Sequence, residues 1–180
     1  MVDVVYPDSV EPSFYPNTTT FVNRLGITDR NALREKEAAF TAIRSIEPLQ
    51  QVDLIQQTFD FAHLKAIHYY MFQDLYDWAG MPRSYNMKKE DNVFTPASEL
   101  PKHEIEAFSQ SIKFSHQNKR PSISKAANSL ARCSGIINIF HPFPEGNGRT
   151  QRIFIILTGT NFPIFPRLGE CSFLGDHRDI

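Results

Sequence analysis

The sequence predicts a mainly helical, all-α domain with one short β-hairpin. Apolar residues recur at spacings of three and four over much of the chain, which is the period of a helix with one buried face. Residues 81–96 break this pattern, because short apolar groups there flank a charged centre, as in a hairpin. No internal repeat or low-complexity tract is present. These observations predict a single domain over residues 1–180.

The first predicted helix covers about residues 29–46. Thr28 or Asp29 can cap its N-terminus, and Pro48 is expected to end it because proline cannot donate a helical hydrogen bond. Its apolar residues fall on one side, which we expect to face the core: Leu33, Phe40, Ile43 and Ile46. Residues 1–20 contain three prolines and a polar Asn-Thr-Thr-Thr run, and they predict an irregular lead-in.

The strongest helix signal covers residues 61–78. Six residues recur there three or four positions apart: Phe61, Leu64, His68, Met71, Leu75 and Trp78. Gly80 and Pro82 predict the end of this helix. In the hairpin that follows, the segments 83–85 and 93–95 are the expected strands on either side of a polar turn.

Three further helices are predicted over about residues 101–117, 122–140 and 149–157. In the first of them we expect an inward face made of Ile105, Phe108 and Ile112. Pro121 and Ser122 introduce the second, whose inward face is predicted to contain Ile123, Ala127, Leu130, Ser134 and Ile137. Because small side chains allow neighbouring helices to come close, we expect this second helix to be central.

Composition excludes several function classes. With 19 basic and 20 acidic residues the net charge is −1, so we expect no general binding of nucleic acid or of an anionic membrane. No apolar run approaches the ~18 residues of a membrane-spanning helix, and the N-terminus lacks the pattern of a secretory signal. The two cysteines, Cys133 and Cys171, fit a reducing compartment. We therefore expect a cytoplasmic protein.

The densest group of functional residue types lies in the segment 141–152, with the sequence HPFPEGNGRTQR. Gly146 and Gly148 leave backbone amides uncovered at the start of a predicted helix, which makes an anion-binding concavity. Asn147 between them can hold the loop shape or donate its amide. A plain turn is the competing interpretation of these three residues. Arg149 and Arg152 lie on one side of the next helix, against its dipole, which favours an anionic partner such as a phosphate.

Two titratable residues complete this segment. His141 can accept a proton near neutral pH, as a general base must, although a histidine before proline is more often structural. Glu145 beside a phosphate site would repel the phosphate unless a cation joins them, and Mg²⁺ commonly binds one carboxylate together with substrate phosphates. We expect Phe143 to anchor the loop. The remaining histidines are expected to be structural: His63, His68, His103, His116 and His177.

The segment 141–152 resembles the signature of the Fic family, H-P-F-x-[D/E]-G-N-G-R-x-x-R, at every specified position. Residues 64–68 and 77–80 also resemble a conserved helix and turn of that family. The resemblance covers about residues 14–158, which we expect to be the core, and leaves an irregular tail at 159–180. It implies a helical core with a target-positioning flap, and transfer of AMP from ATP to a Ser, Thr or Tyr hydroxyl of a target protein, with release of pyrophosphate.

The resemblance also implies individual roles. His141 would deprotonate the target hydroxyl, Glu145 would bind Mg²⁺, and Val93 and Phe94 would belong to the flap that aligns the target as an added strand. The implied nucleotide ligands are Gly146, Asn147, Gly148, Arg149 and Arg152, the last of them at the γ-phosphate. Other transfers of this superfamily remain alternatives, namely UMP, phosphate or phosphocholine transfer, as does a non-enzymatic module that binds a nucleotide or a partner.

Two features depart from the family pattern. Many members inhibit themselves through a motif [S/T]-x-x-x-E-[G/N]; here only Glu99 has Ser or Thr four residues earlier, and Leu100 follows it. We therefore expect inhibition by a separate small protein, as in a toxin–antitoxin pair of bacterial origin, with secretion into a host left open.

The tail contains prolines and glycines without a helical period, and we expect residues 161–180 to lie extended over the helix at 149–157.

Overall fold

The computed structural model describes residues 9–89, 92–115 and 121–160. It contains five α-helices in this part of the chain: α1 (Arg30–Gln50), α2 (Phe61–Phe72), α3 (Leu100–Ser115), α4 (Ile123–Phe140) and α5 (Asn147–Thr160). Two short antiparallel strands, β1 (Lys88–Lys89) and β2 (Asn92–Val93), form a hairpin between α2 and α3. The predicted fold class is therefore confirmed.

Helix α1 begins where the sequence predicts, but it extends beyond the predicted end and buries a different set of side chains. The Asp29 carboxylate accepts a hydrogen bond of 2.8 Å from the Ala32 amide and caps the helix. The predicted end at Pro48 is wrong, because the helix continues to Gln50. A proline so near the C-terminus removes only one backbone hydrogen bond, and the Pro48 ring is buried. The predicted inward face is also wrong for Ile43 and Ile46, which are 66% and 52% exposed. The buried face consists of Leu33, Glu37, Thr41 and Pro48.

Helix α2 is more deeply buried than α4, which the sequence predicted to be the central helix. It packs against α1 and α5, and its core residues include Ile67 and Phe72, both fully buried. The helix ends at Phe72, six residues earlier than predicted, and tight turns continue to Gly80, which has a φ of +80°. All six predicted inward residues are nevertheless buried, since the turns keep the apolar side chains on the core side.

Helices α3 and α4 bury fewer of the predicted residues. On α3 the buried face centres on Ala107, Phe108 and Ser111, whereas Ile105 lies outside it and is 81% exposed. On α4 the buried residues are Ala126, Cys133, Ile137 and Phe140. The predicted inward residues Ile123 and Ala127 are exposed, because α4 packs on α3 and α5 along one side only.

Strand β1 lies inside the segment that the sequence assigned to the turn, and β2 overlaps the predicted strand at 93–95 only at Val93. Lys88 pairs with Val93 and Lys89 with Asn92. The predicted strand at 83–85 is unavailable because Arg83 forms a bridge with Val10 and its amide donates to the Pro142 carbonyl. The hairpin is therefore tied at its base to the loop after α4.

Helix α5 begins two residues before the predicted helix and ends three residues after it, so the predicted tail at 159–180 starts inside the helix. The extended path expected for residues 161–180 lies outside the described residues. None of the helices in the described chain is long and apolar enough to cross a bilayer.

Candidate active site

A cavity of about 1290 Å³ opens beside the loop that joins α4 to α5. Its lining comes from six parts of the chain, namely the segment before α1, α1, the turn after α2, the hairpin, the end of α4, and the signature loop with the first turn of α5. The signature residues that it brings together are His141, Glu145, Gly146, Asn147, Gly148 and Arg149. Within the described chain, the lining does not include Arg152.

Gly146 is required by the close approach of the loop to α2. Its φ is +79°, a backbone conformation that side chains disfavour. A Cβ atom at this position would lie 2.3 Å from Cζ of Phe72, which is fully buried and cannot move aside. The loop can therefore pass over Phe72 only with glycine at this position.

Asn147 holds the shape of the loop. Its side-chain oxygen accepts a hydrogen bond of 2.9 Å from the Phe143 amide, and its side-chain nitrogen donates one of 2.7 Å to the Phe143 carbonyl. Of the two roles considered from the sequence, the structure therefore supports the loop-holding one for the Asn147 side chain. Phe143 is fully buried, with its ring 3.9 Å from that of His68, as expected of an anchor.

His68 fixes the other side of the loop. Its Nδ1 accepts a hydrogen bond of 2.7 Å from the Gly80 amide, so Nε2 carries the proton and donates to the Glu145 carbonyl at 3.0 Å. Burial lowers the pKa of His68 to about 3, so the ring stays neutral and keeps this tautomer. The predicted role of His68 as a hydrogen-bonded core residue is confirmed.

The first turn of α5 contains backbone amides without an acceptor, and we call this group of amides the cradle. Gly148 is exposed, and the amides of Asn147 and Gly148 have no hydrogen-bond acceptor among the described residues. Unpaired amides at a helix N-terminus, together with the positive end of the helix dipole, attract phosphate. The amides of Arg149 and Thr150 instead donate to the Gly146 carbonyl, which closes the turn.

The two arginines of the signature lie in different surroundings. The guanidinium of Arg149 donates to the carboxylates of Glu37 and Glu145 and to the hydroxyl of Thr41. Arg152 is exposed, and its Nη1 lies 3.8 Å from the position that a Cβ of Gly148 would occupy. Arg152 is thus beside the cradle, at the edge of the cavity.

His141 occupies the C-cap of α4 in a left-handed conformation, with φ 42°. Its Nδ1 lies 3.2 Å from the Asn138 carbonyl, so a proton on Nδ1 leaves Nε2 as the basic nitrogen. Burial is the largest cause of a lowered pKa for His141, and the positive charges of Arg83 and Lys89 add to it. At neutral pH the ring is therefore unprotonated, as a general base requires.

The sequence did not identify Arg83, which ties the hairpin to His141. Its guanidinium is 1% exposed and donates to three carbonyl oxygens, those of His141, Tyr85 and Thr95, at 2.9, 2.6 and 2.5 Å. Burial lowers the pKa of Arg83, yet an arginine remains charged under these conditions. An arginine directly after the Gly-Met-Pro turn gives no sequence signal of burial, since arginine is almost always exposed.

The two flap residues have different environments. Val93 is 73% exposed on β2, where it can contact a bound chain. Phe94 is 9% exposed, and its ring stacks on the His141 imidazole with centroids 3.7 Å apart. Phe94 therefore packs on His141, while the Val93 side chain remains exposed at the strand edge.

Glu145 meets the requirements of a one-carboxylate magnesium ligand. Its side chain is 49% exposed beside the cradle, and it accepts hydrogen bonds from its neighbours Gly146 and Arg149. The described residues contain no group of three or more metal-ligating side chains. A site with one carboxylate suits Mg²⁺ that is also bound by substrate phosphates and water.

The other described histidines lie away from the cavity. His63 is 1% exposed and packs against Phe59 and Phe154, and burial lowers its pKa to about 4. His103 lies on α3 near Glu99 and Glu106, at 3.5 and 3.6 Å. His116 and His177, which the sequence predicts to be structural, lie outside the described residues.

Fold and site together define a helical domain in which a histidine and the unpaired amides of a helix N-terminus share one cavity. The model of the Fic/DOC family matches residues 58–158. The chain is 35% identical over 147 residues to a probable protein adenylyltransferase, y4lH, of Sinorhizobium fredii, covering 82% of this chain and 74% of that protein. It is 34% identical over 154 residues to the protein adenylyltransferase VbhT of Bartonella schoenbuchensis, covering 83% of this chain but 31% of that longer protein.

A solved structure shows the same fold. The N-terminal Fic domain of a Bartonella quintana effector, determined with bound ADP, superposes with a TM-score of 0.69 at 27% identity, covering 82% of this chain and 74% of that one. The chain therefore belongs to the Fic/DOC family.

Proposed function

We propose that this protein is an adenylyltransferase that moves AMP from ATP to a hydroxyl side chain of a target protein. The observation that carries this proposal is the position of His141, whose basic Nε2 shares one cavity with the amide cradle at the start of α5. The names of the relatives and the ADP bound by the Bartonella quintana domain support a nucleotide as the donor.

In the proposed reaction, Nε2 of His141 accepts the proton of the target hydroxyl. The hydroxyl oxygen then forms a bond to the α-phosphorus of ATP, while the bond from that phosphorus to the α–β bridging oxygen breaks. Pyrophosphate leaves with the bridging oxygen, and AMP remains attached to the target. Phosphoryl-type transfer depends mainly on positioning and on charge stabilisation, which the cradle and the arginines can provide.

The triphosphate is held in this proposal by the amides of Asn147 and Gly148 and by the guanidinium of Arg149. Arg152 is the proposed ligand of the γ-phosphate, because its exposed guanidinium lies beside Gly148 at the edge of the cavity. A planar guanidinium matches two phosphate oxygens at once, which supports this role for both arginines.

Glu145 is the proposed magnesium ligand. The bound ion would offset the negative charge that develops on the phosphates during transfer. The chain itself contributes the carboxylate, whose orientation is supported by the hydrogen bond of 2.9 Å from the Gly146 amide. The remaining ligands would be phosphate oxygens and water.

The target chain is proposed to lie along the hairpin. Val93 is exposed and lines the cavity, and an extended segment can add to a strand edge through backbone hydrogen bonds. Phe94 then sets the distance between this segment and His141.

A separate inhibitory protein is also part of the proposal, because the sequence lacks the family's internal inhibitory motif. The bacterial relatives support a bacterial source. A toxin-like role in the cytoplasm is part of the proposal.

The test is mass spectrometry of target proteins after incubation of a bacterial lysate with the purified protein, Mg²⁺, and an equimolar mixture of ATP and UTP. An AMP adduct on Ser, Thr or Tyr is the expected result, and its absence with the His141→Ala protein is the control. A UMP adduct or a phosphate adduct would replace the proposal by another transfer. No adduct with any lysate would favour a binding module without catalysis.

A further inference from the structure

Arg149 is held by a carboxylate that the signature does not contain. Glu37 lies in the middle of α1, and its carboxylate accepts a hydrogen bond from Nη2 of Arg149, 112 residues away in sequence. The Glu37 side chain is 10% exposed and lines the same cavity as the signature loop. A buried carboxylate on a helix face is unusual unless it is paired, so this contact determines how α1 faces the site.

The contact belongs to a network that leaves Glu37 little freedom. The second carboxylate oxygen accepts a hydrogen bond from the Tyr76 hydroxyl. Thr41, one turn along α1, donates to the Glu37 carbonyl at 2.7 Å and accepts from Nη1 of Arg149 at 3.3 Å. The guanidinium carbon of Arg149 lies 5.0 Å from the ring centroid of Phe72, the residue over which Gly146 passes. Arg149 is therefore fixed from α1 and α2, and Glu37 is in turn held by the turn after α2.

We propose that Glu37 is a positioning residue, which holds the Arg149 guanidinium in the orientation that binds the triphosphate. The inference rests on the proposed function in one respect, namely that the cradle binds a nucleoside triphosphate. Arginine has many rotamers, and their loss on binding weakens the interaction unless the side chain is already ordered. Glu37 and Thr41 order it before the nucleotide arrives.

The geometry favours positioning over inhibition. An inhibitory carboxylate has to leave the arginine when phosphate binds, and Glu145 can do so because it is 49% exposed. Glu37 is buried and has a second partner in Tyr76, so it stays in place. Arg149 faces both carboxylates, and after Glu145 turns to a cation Glu37 and Thr41 still hold the guanidinium. Donors of Arg149 that Glu37 and Thr41 do not use then remain for phosphate.

Two substitutions separate orientation from charge. Glu37→Gln retains an acceptor oxygen for Arg149 and an amide that can donate to the Tyr76 oxygen, but it removes the charge. Glu37→Ala removes both the charge and the hydrogen bonds. The matched control is Glu47→Ala, because Glu47 is also on α1 and accepts a hydrogen bond of 2.5 Å from the Tyr70 hydroxyl of α2. Glu47 does not line the cavity.

The measurement is the affinity for AMPPNP with Mg²⁺ by calorimetry, in wild-type and Arg149→Ala backgrounds, with thermal unfolding of every variant. We expect Glu37→Ala to weaken binding about tenfold, Glu37→Gln to weaken it less than about threefold, and Glu47→Ala to leave it unchanged. In the Arg149→Ala background, Glu37→Ala should add no further loss.

Three results would overturn the proposal. Tighter binding or faster transfer by Glu37→Ala would make Glu37 an inhibitor. An equal loss with and without Arg149, or unchanged affinity in a folded Glu37→Ala protein, would leave Glu37 with a structural role alone. Because the affinity assay needs no turnover, failure of AMP transfer by the wild-type protein would count against the proposed function and not against the role of Glu37.

Discussion

The ring of Phe94 stacks on the imidazole of His141, with centroids 3.7 Å apart and planes 11° from parallel. Phe94 comes from the hairpin, and His141 comes from the end of α4, 47 residues later in sequence (141 − 94). The hairpin thus contacts the proposed general base directly, and the same contact limits the rotation of its ring. We therefore expect positioning of the base and positioning of the target to be coupled.

Phe94→Ala should lower the rate of AMP transfer more than it lowers nucleotide affinity. Without the ring, His141 loses its packing partner and can rotate, and small misplacement of a reacting group costs about 10- to 100-fold in rate. Single-turnover kinetics with Val93→Ala as the control measure this effect, because the exposed Val93 does not contact the imidazole. We expect Val93→Ala to raise KM for the target with little change in kcat. Equal effects of both substitutions on kcat would contradict this assignment.

Gly146→Ala should destabilise the protein by about 2–5 kcal/mol, because the added Cβ enters the ring of Phe72 and the backbone is left-handed at this position. Gly135→Ala provides the control. Gly135 lies within α4 with no atom within 4 Å of an added Cβ, so alanine there should stabilise by about 0.5–1 kcal/mol. Chemical denaturation of both variants gives the two free energies. A Gly146→Ala protein as stable as wild type would show that the loop does not press on Phe72.

Stability should rise with pH between about 5 and 6.5. Burial lowers the pKa of His68 to about 3 and that of His63 to about 4, below the ordinary value of 6.5. In this range the unfolded chain binds protons at both positions and the folded chain does not, so acidification favours unfolding. Denaturation midpoints across this range, in wild type and in His63→Phe, should show a smaller slope for the variant. A slope that His63→Phe leaves unchanged would mean that His63 titrates normally in the fold.

Magnesium should strengthen AMPPNP binding through Glu145. In the wild-type protein, chelation of Mg²⁺ should weaken the affinity for AMPPNP, because Glu145 and the phosphates then repel each other. Glu145→Gln should reduce this dependence, since the amide is a weaker ligand and carries no charge. Calorimetry with and without Mg²⁺ gives the comparison. Equal magnesium dependence in both proteins would place the ion on phosphates alone.

The sequence predicted the fold class and the signature loop well, for physical reasons that differ. The core positions of residues 61–78 were identified correctly because their apolar period is unbroken. The loop was identified because Gly146 and Gly148 leave backbone amides uncovered next to two arginines. The roles assigned to His141, Glu145 and Arg152 in the reaction stay predictions.

The errors arose where polar residues are buried. The inward face of α1 was placed on Ile43 and Ile46, whereas Glu37 and Thr41 occupy the buried side, held by partners that are distant in sequence. Arg83 was missed for the same reason, because its three carbonyl partners come together only in the folded chain. Apolar periodicity contains no information about such long-range pairs.

The central claim is that His141 acts on the target hydroxyl and not on the nucleotide. The most direct test compares wild type and His141→Ala for AMP transfer to an identified target and for AMPPNP affinity. We predict that transfer falls about 10²- to 10⁴-fold in the variant, as is typical when a general base is lost, while the affinity is nearly unchanged. Wild-type transfer by His141→Ala, or a loss of transfer explained by an equal loss of nucleotide affinity, would contradict the account.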